Sequence, residues 1–298
     1  MNALTVEAVG VLALLQDRGR RGMAHLGVGQ SGAADRASYE LANRLVGNQP
    51  GAPCLEVALG RMTFRIERTS LIAVTGATVD IRCGGRAAGV DAAFIAHAND
   101  EVVLGPPRAG LRTYVAVRGG LVGRTVLGSS SWDTMAHLGT PPLRPGDVVR
   151  VGGHEGPWPA VDFAPRVAGI DSVTTLPILL GPRDDWFRVE ALARLADGEF
   201  VVSSDADRVG IRLDGPELPR KRTGELASEG VTLGALQVPT RGRPTLFLAD
   251  RPVTGGYPVI GVVPAWAVDH AAQAVPGSRI RFAPYRRDQW RQMPNISG

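Results

Sequence analysis

Short hydrophobic segments, many of them alternating with polar positions, run through the whole chain and are separated by turn residues. They are rich in β-branched residues and bounded by Gly, Pro, Asp or Asn, which is typical of β-strands. Turn pairs such as Asn99-Asp100 and Pro276-Gly277 precede short strands, as expected where a strand closes a barrel. The predicted strands cover residues 6–15, 62–66, 71–75, 79–82, 101–104, 113–117, 148–151, 176–180, 199–203, 210–213, 245–248, 258–263 and 279–282.

Helical spacing of apolar residues predicts a helix in each of three segments, residues 34–46, 186–196 and 265–274. Ser31 is the expected N-cap of the first helix, and Gly47 is its expected stop. Asp184 or Asp185 can cap the second helix. Pro264 can open the third, because a proline at the first turn removes no helical hydrogen bond.

Composition is typical of a globular protein long enough for two domains. The chain has 298 residues, of which 44% are hydrophobic, with 38 Gly and 22 Pro. Residues 152–165 are rich in Gly and Pro and carry little periodicity, so they are the predicted linker between two halves.

Charge and cysteine usage exclude several classes of protein. The sequence pI is about 9.6 but the net charge is only +4, and the arginines are scattered, so a nucleic-acid partner is not expected. Cys54 and Cys83 predict neither a disulfide framework nor a metal site. The N-terminus does not resemble a signal peptide and no apolar run is long enough to span a bilayer, so we expect a cytoplasmic location without membrane contact.

The segment from Asp250 to Pro258 places charged and hydroxyl side chains between two apolar runs. Asp250 and Arg251 are followed by Thr254, Gly255-Gly256 and Tyr257. A double glycine permits positive φ or a close backbone approach, and the backbone N–H groups of such a turn can face a ligand. The alternative is a tight turn with an exposed ion pair.

A second polar, glycine-rich segment follows the first predicted strand and contains Gln16, Asp17, Arg20, Ser31 and Asp35. It ends at a predicted helix start, where free N–H groups favour an anion. Arg20 could bind a carboxylate or phosphate through two parallel hydrogen bonds, and Asp35 could act as a base. The alternative is that Ser31 and Asp35 only cap the helix while Arg20 pairs with Asp17.

Further polar residues flank strands in the second half of the chain. Arg208 lies in the segment 203–210 between carboxylates and hydroxyls, and the alternative there is a solvated loop with a surface ion pair. Gln237, before Val-Pro, could read a substrate amide; otherwise it is an exposed residue at a strand end. The five histidines show no metal-ligand spacing, and only His25 lies in a polar cluster.

In this order along the chain, the motifs resemble the carboxyltransferase/allophanate hydrolase subunit 2 family. Members include the C subunit of 5-oxoprolinase and KipA-type antagonists of a histidine-kinase inhibitor. The match is collinear over nearly the whole chain. The matching motifs occupy residues 16–22, 27–28, 31–35, 42–48, 55–56, 75–77, 116–120, 127–129, 181–182, 207–210, 213–215, 228–230, 237–239 and 254–258.

The resemblance implies a mainly β fold with two tandem cyclophilin-like β-barrel domains and a few short helices. We expect the domains at residues 1–160 and 161–298. It also implies partners, a subunit 1 (KipI-like) homologue and a third 5-oxoprolinase subunit. Such a complex uses ATP to open the lactam of 5-oxoproline, giving glutamate.

This chemistry requires anion donors, a carboxylate anchor and a base, and no metal or attached biotin is expected. Relatives often carry lysine where Val259 stands and glutamine where Pro252 stands. Either Arg251 substitutes for the missing lysine, or this branch has a different substrate or weaker activity. The expected catalytic residues are Asp35, Glu56, Asp250 and Arg251. The expected substrate-binding residues are Gln16, Asp17, Arg20, Ser31, Arg208, Gln237, Thr254, Gly255, Gly256 and Tyr257.

Two alternatives to a 5-oxoprolinase subunit stay open. One is a biotin-dependent carboxyltransferase component that acts on urea or a similar amide, which would need a separate biotin carrier because the chain has no Ala-Met-Lys-Met motif. The other is a non-catalytic, KipA-like protein that binds and sequesters its subunit 1 homologue.

Overall fold

The computed structural model describes residues 2–153, 157–165, 173–222, 224 and 226–285. The chain divides into two compact units, residues 1–170 and 171–298. His154 and part of the predicted linker, residues 154–156, lie outside the described residues, as do the last residues of the chain.

The first unit is built on one large antiparallel sheet. Its longest strands, β5 and β8, pair from Ile72 opposite Val117 to Cys83 opposite Val102, with register shifts between 76 and 81. The main strand order is β2-β3-β8-β4-β1-β10-β9, while β5 pairs with β6, β7 and β8. The strands are β1 Ala3–Ala8, β2 Leu12–Gln16, β3 Cys54–Ala58, β4 Met62–Ile66, β5 Ser70–Cys83, β6 Arg86–Ala88, β7 Ala92–Ala96, β8 Glu101–Val117, β9 Leu121–Val122 and β10 Val148–Val151.

The core of the first unit follows from alternation along these strands. In β4 the side chains of Met62, Phe64 and Ile66 are buried, while those between them are half-buried, because successive side chains point to opposite faces. Helix α1, Arg36–Leu45, buries Tyr39, Ala42 and Leu45 at helical spacing. Tyr39, Ala42 and Leu45 form a second core cluster with residues of β3, β5 and β8.

The second unit is a closed barrel in the order β11-β18-β15-β16-β13-β12-β19. Strand β19 closes it, running parallel to β11 and antiparallel to β12. A separate two-stranded sheet joins β14 and β17. The strands are β11 Val173–Leu180, β12 Glu199–Val202, β13 Gly210–Asp214, β14 Glu229–Gly230, β15 Ala235–Gln237, β16 Thr245–Phe247, β17 Thr254–Gly255, β18 Val259–Val262 and β19 Arg279–Tyr285; the helices are α2 Val189–Asp197 and α3 Ala265–Ala271.

The prediction of a mainly β fold with two tandem cyclophilin-like barrels and few short helices is confirmed. The described residues contain three α-helices, α1 to α3, and two single turns of 3-10 helix, Ala24–Leu26 and Asp184–Trp186. In the described part of the chain, none of these helices has the length and apolar character that crossing a membrane would require.

Several predicted boundaries are wrong. The predicted strand over residues 6–15 is two strands, β1 and β2. The predicted strands 71–75 and 79–82 are one, β5, and 101–104 and 113–117 are one, β8. Strand β8 continues through Pro106 and Pro107, although proline removes a ladder donor; the shifts in its register with β5 accommodate this.

The predicted helix starts also need correction. Helix α1 begins after Asp35, whose carboxylate accepts a hydrogen bond from the Ser38 N–H, so Asp35 and not Ser31 is its N-cap. Helix α2 begins at Val189, because the chain first makes a separate 3-10 turn at Asp184–Trp186. Helix α3 opens after Pro264 as predicted but ends at Ala271.

Candidate functional site

The expected site residues fall into two groups, one within each unit. The first unit holds Gln16, Asp17, Arg20, Ser31, Asp35 and Glu56. The second unit holds Arg208, Gln237, Asp250, Arg251, Thr254, Gly255, Gly256 and Tyr257.

Asp17 follows strand β2 and is buried, and its carboxylate is held by a serine loop more than a hundred residues later. Oδ1 accepts hydrogen bonds from the Ser129 and Ser131 hydroxyls, both at 2.6 Å, and from the Gly19 N–H at 2.8 Å. Oδ2 accepts from the Ser130 N–H at 2.7 Å. Because these donors occupy both oxygens, Asp17 joins two distant loops.

Arg20 binds the same loop through its backbone. It is only 1% exposed. Nε donates to the Val126 carbonyl at 3.0 Å, and Nη2 donates to the carbonyls of Ser129 and Ser131. Buried carbonyl oxygens need donors, so the Arg20 guanidinium stabilises this loop by donating to its backbone carbonyls.

Gln16 and Ser31 meet at one backbone acceptor. The Gln16 Nε2 and the Ser31 Oγ each donate to the Trp132 carbonyl at 3.0 Å. Gln16 is fully buried, and its Oε1 has no hydrogen-bond partner among the described residues. Ser31 itself has a positive φ of 55°, which agrees with its place in a turn before the helix and not at its cap.

Glu56, Tyr114 and Asp35 hold the start of helix α1. The Glu56 Oε2 accepts from the Tyr114 hydroxyl at 2.8 Å and from the Ala34 N–H at 3.0 Å. The Tyr114 hydroxyl accepts in turn from the Asp35 N–H at 2.8 Å. Arg112 lies 3.7 Å from the other Glu56 oxygen.

Burial of this network has an electrostatic consequence. Tyr114 is fully buried, and desolvation, followed by the negative charge of Glu56, raises the pKa of its hydroxyl well above the usual value. The hydroxyl therefore stays protonated and remains available as a donor to the carboxylate. Negative charge at this position also suits the positive end of the helix.

In the second unit, Arg208 and Asp250 form a buried pair with two parallel hydrogen bonds. Nε lies 2.9 Å from Oδ2 and Nη2 lies 3.0 Å from Oδ1, with the two residues 3% and 1% exposed. The Asp250 N–H also donates to the Arg208 carbonyl at 3.0 Å. Planar bidentate pairing explains how the two charges can be buried together.

The turn after Asp250 is fixed by Gln237 and by a close backbone approach. The Gln237 Nε2 donates to the Tyr257 carbonyl at 2.9 Å. Neither Gly255 nor Gly256 has a positive φ. A Cβ on Gly255 would lie 2.7 Å from the Gln237 Nε2, whereas one on Gly256 would meet its nearest atom, the Leu226 oxygen, at 3.7 Å. Glycine at 255 therefore leaves room for the Gln237 side chain and its hydrogen bond, so close approach, and not positive φ, is the reason that applies here.

Side chains of this turn are accessible, in contrast to Asp250. Thr254 is exposed and the Tyr257 residue is 47% exposed. Arg251 is half-buried, and its Nε lies 3.3 Å from the Val231 carbonyl, to which it donates. The turn therefore offers donors and an aromatic ring to a ligand, whereas the Arg208–Asp250 pair is buried.

Glu229 in β14, the strand that pairs with this turn, forms an ion pair with Arg183. The Arg183 guanidinium lowers the pKa of the Glu229 carboxyl.

The sequence did not predict several residues that organise these groups. Ser129–Ser131 and Trp132 receive no role from sequence, although three consecutive serines after a glycine are a polar signal in a strand-rich chain. Tyr114 lies in an apolar strand, where a buried tyrosine hydroxyl needs a partner. His25 is exposed, with Nδ1 3.0 Å from the Gly22 carbonyl, and no group of three metal-ligating side chains is found across the described ranges.

Comparison with known proteins places the chain among well-defined relatives. The family model for the carboxyltransferase domain, subdomain A and B, matches residues 26–284. The chain is 31% identical over 282 residues to the C subunit of 5-oxoprolinase from Escherichia coli strain K12, in an alignment that covers 94% of this chain and 90% of that protein.

Two solved structures are also similar. TTHA0988 has a TM-score of 0.86 at 37% identity, over 95% of this chain and 56% of that chain. The Kluyveromyces lactis urea carboxylase has a TM-score of 0.88 at 28% identity, over 97% of this chain and 28% of that chain. The chain therefore spans only part of each of these two proteins.

Proposed function

Because the chain belongs to the carboxyltransferase domain, subdomain A and B, family, we propose that it is one subunit of an ATP-dependent lactam hydrolase that converts 5-oxoproline to glutamate with partner subunits. The resemblance inferred from the sequence motifs is confirmed by this match. One observation carries the proposal: the alignment with the Escherichia coli relative covers 94% of this chain and 90% of that protein. The chain thus corresponds to nearly the whole length of that relative.

The chemistry requires activation of an unreactive amide. A lactam carbonyl is a poor electrophile, and transfer of the γ-phosphoryl group of ATP to its oxygen, with loss of ADP, makes the carbon open to attack. Water then adds, the ring C–N bond breaks with a proton going to nitrogen, and a second water releases phosphate. Such a reaction depends on donors placed at the developing charges.

The contacts support different roles for the expected site residues. We assign Asp17, Arg20, Asp35 and Glu56, whose polar atoms bind other parts of the first unit, to positioning. Arg208 and Asp250 receive the same role in the second unit, since their charged groups bind each other through two hydrogen bonds. Contact with the substrate is assigned to the accessible turn and its neighbour; these residues are Arg251, Thr254, Gly255, Gly256, Tyr257 and Gln237.

The proposal places ATP binding in the assembled complex, which requires partner subunits. The sequence lacks the G-x-x-x-x-G-K-[ST] phosphate loop. The guanidinium of Arg20 donates to backbone carbonyls, and that of Arg208 donates to the Asp250 carboxylate. We therefore assign no residue of this chain to the nucleotide. The expected partners are a subunit 1 (KipI-like) homologue and a third subunit, in line with the name of the Escherichia coli relative, which is that of one subunit among several.

A second candidate is a carboxyltransferase component that moves a carboxylate from carboxybiotin to urea or a similar amide. The TM-score of 0.88 to the Kluyveromyces lactis urea carboxylase favours it. In that case a separate biotin carrier would supply the carboxylate, and the accessible turn would hold the acceptor amide.

The test is turnover by the reconstituted complex. This chain is purified together with its subunit 1 homologue and the third subunit, and glutamate and ADP are measured with 5-oxoproline, with each subunit omitted in turn. We expect the two products in equal amounts, and neither when this chain is left out. Transfer of carboxylate from carboxybiotin without ATP use would favour the second candidate, and a stable complex without either reaction would favour a KipA-like binding protein.

A further inference from the structure

Arg220 lies beside the Tyr257 turn in the second unit. An isolated antiparallel bridge to Phe187 fixes its backbone. Its Nη2 donates to the Val238 carbonyl, and its guanidinium carbon lies 5.6 Å from the centroid of the Tyr257 ring. The guanidinium carbon therefore lies over an aromatic ring whose residue is itself about half-exposed.

The charge of Arg220 is not balanced by the described residues. Several other arginines of this unit have carboxylate partners; for example, Arg183 pairs with Glu229, Arg222 with Asp185 and Arg208 with Asp250. No carboxylate in the described part of the unit lies within ion-pair distance of Arg220. Its Nε is buried without a hydrogen-bond partner among these residues. Desolvation lowers the pKa of this guanidinium.

A half-buried cation without a counterion has a desolvation cost that a bound anion would offset. Nε is buried and Nη2 already donates one hydrogen to the Val238 carbonyl, so the edge formed by Nη1 and Nη2 is the one that can still donate to a carboxylate. The Gln237 amide donates to the Tyr257 carbonyl and so holds the neighbouring turn in place. These contacts together describe a small anion site with one aromatic wall.

We propose that Arg220 and Tyr257 bind the carboxylate of the small-molecule substrate. The proposal rests on the proposed function and makes it more specific, because 5-oxoproline carries a carboxylate beside its lactam and urea carries none. Arg220 is a binding residue in this scheme, and it selects a lactam acid over a neutral amide without taking part in bond breaking.

The experiment measures binding to the complex by calorimetric titration with 5-oxoproline and with 5-oxoprolinamide, in which a neutral amide replaces the carboxylate. For the parent complex, we expect the acid to bind about ten- to a hundredfold more tightly than the amide, as for a charge-assisted bidentate contact. Arg220→Met should remove this preference by weakening the acid alone.

Two further variants separate recognition from folding. Arg220→Gln keeps a donor for the Val238 carbonyl but not the charge, and it should lose the preference as Arg220→Met does. Arg243→Met removes an exposed arginine that pairs with Asp214 and should change neither affinity. Thermal melting of each variant complex, compared with the parent, checks that loss of binding does not come from unfolding.

The inference is overturned if Arg220→Met binds 5-oxoproline as the parent does, if it weakens acid and amide equally, or if the parent complex binds neither. Failure of the proposed function has a different signature. A complex that binds 5-oxoproline through Arg220 but makes no glutamate or ADP would support the carboxylate site and contradict the proposed lactam hydrolase function.

Discussion

The serine loop around Asp17 in the first unit and the turn around Tyr257 in the second unit use polar residues in opposite ways. In the first, four donors surround the Asp17 carboxylate and Arg20 serves three carbonyls of the same loop. In the second, Thr254 and Tyr257 are exposed, and Arg220 meets a ring and one carbonyl.

The difference separates two meanings of a polar, glycine-rich motif. Polar atoms that bind other parts of the protein stabilise loop geometry and have little capacity left for a ligand. Accessible or uncompensated polar atoms keep that capacity. Both kinds occur in the second unit, where the Arg208–Asp250 pair lies just before the exposed turn, so substitutions can test the distinction directly.

The largest effect is expected for Asp250→Ala. Removing the carboxylate takes two charge-assisted hydrogen bonds from the buried Arg208 guanidinium, which should lower the free energy of unfolding of the second unit by about 3–5 kcal/mol. Urea denaturation followed by tryptophan fluorescence measures it. The matched control is Asp214→Ala, which removes an exposed ion pair with Arg243 and should cost at most about 1 kcal/mol; similar losses in both variants would contradict the prediction.

Asp17→Ala should come next, at about 3 kcal/mol, because several buried donors of the serine loop lose their acceptor together. The loss should appear in the unfolding of the first unit. Asp147→Ala is the control, since its exposed carboxylate accepts one turn hydrogen bond from the Arg144 N–H. If Asp17→Ala were as mild as this control, the loop would not depend on the carboxylate.

A smaller effect is expected for Tyr114→Phe, about 1–3 kcal/mol, because the Asp35 N–H loses its acceptor and Glu56 loses a donor. Tyr39→Phe is the control. The Tyr39 ring is equally buried, but its hydroxyl donates one hydrogen bond, to the Ala52 carbonyl at 2.9 Å, so its loss should cost less. Equal costs, measured by denaturation, would show that the bridge at the helix start adds nothing.

The smallest effect is expected for Gly255→Ala, at or below about 1 kcal/mol, because the new Cβ displaces only the flexible end of Gln237 and its hydrogen bond. Gly256→Ala has room and should change the unfolding free energy hardly at all. Turnover of the complex should fall for Gly255→Ala, since the turn loses its link to Gln237. A larger loss of unfolding free energy for Gly256→Ala than for Gly255→Ala would contradict the close approach of Gln237 to Gly255.

Much of the fold could be predicted from local pattern, for physical reasons visible in particular strands. Met62–Ile66 and Val148–Val151 were predicted with the observed bounds, since alternation and turn residues define them. Strand β8 could not be, because Gly105, Pro106 and Pro107 signal a break locally and only pairing with β5 keeps the strand continuous.

The candidate site was less predictable than the fold. Sequence identified the types of residue at Asp17 and Arg208, but their partners lie far along the chain, at Ser129–Ser131 and Asp250. Whether such a residue is satisfied internally depends on those distant contacts. Local composition carries no information on them, so it could not separate Asp250, which is buried, from Tyr257, which is accessible.

The closing strand of the second barrel has a consequence for biosynthesis. Strand β19 pairs with β11, the first strand of that barrel, and with β12. A ribosome delivers β19 after every other strand of the barrel, so the nascent unit carries two unpaired edges until then. Closure must follow the emergence of Tyr285, and a chain stalled before it would expose those edges to aggregation.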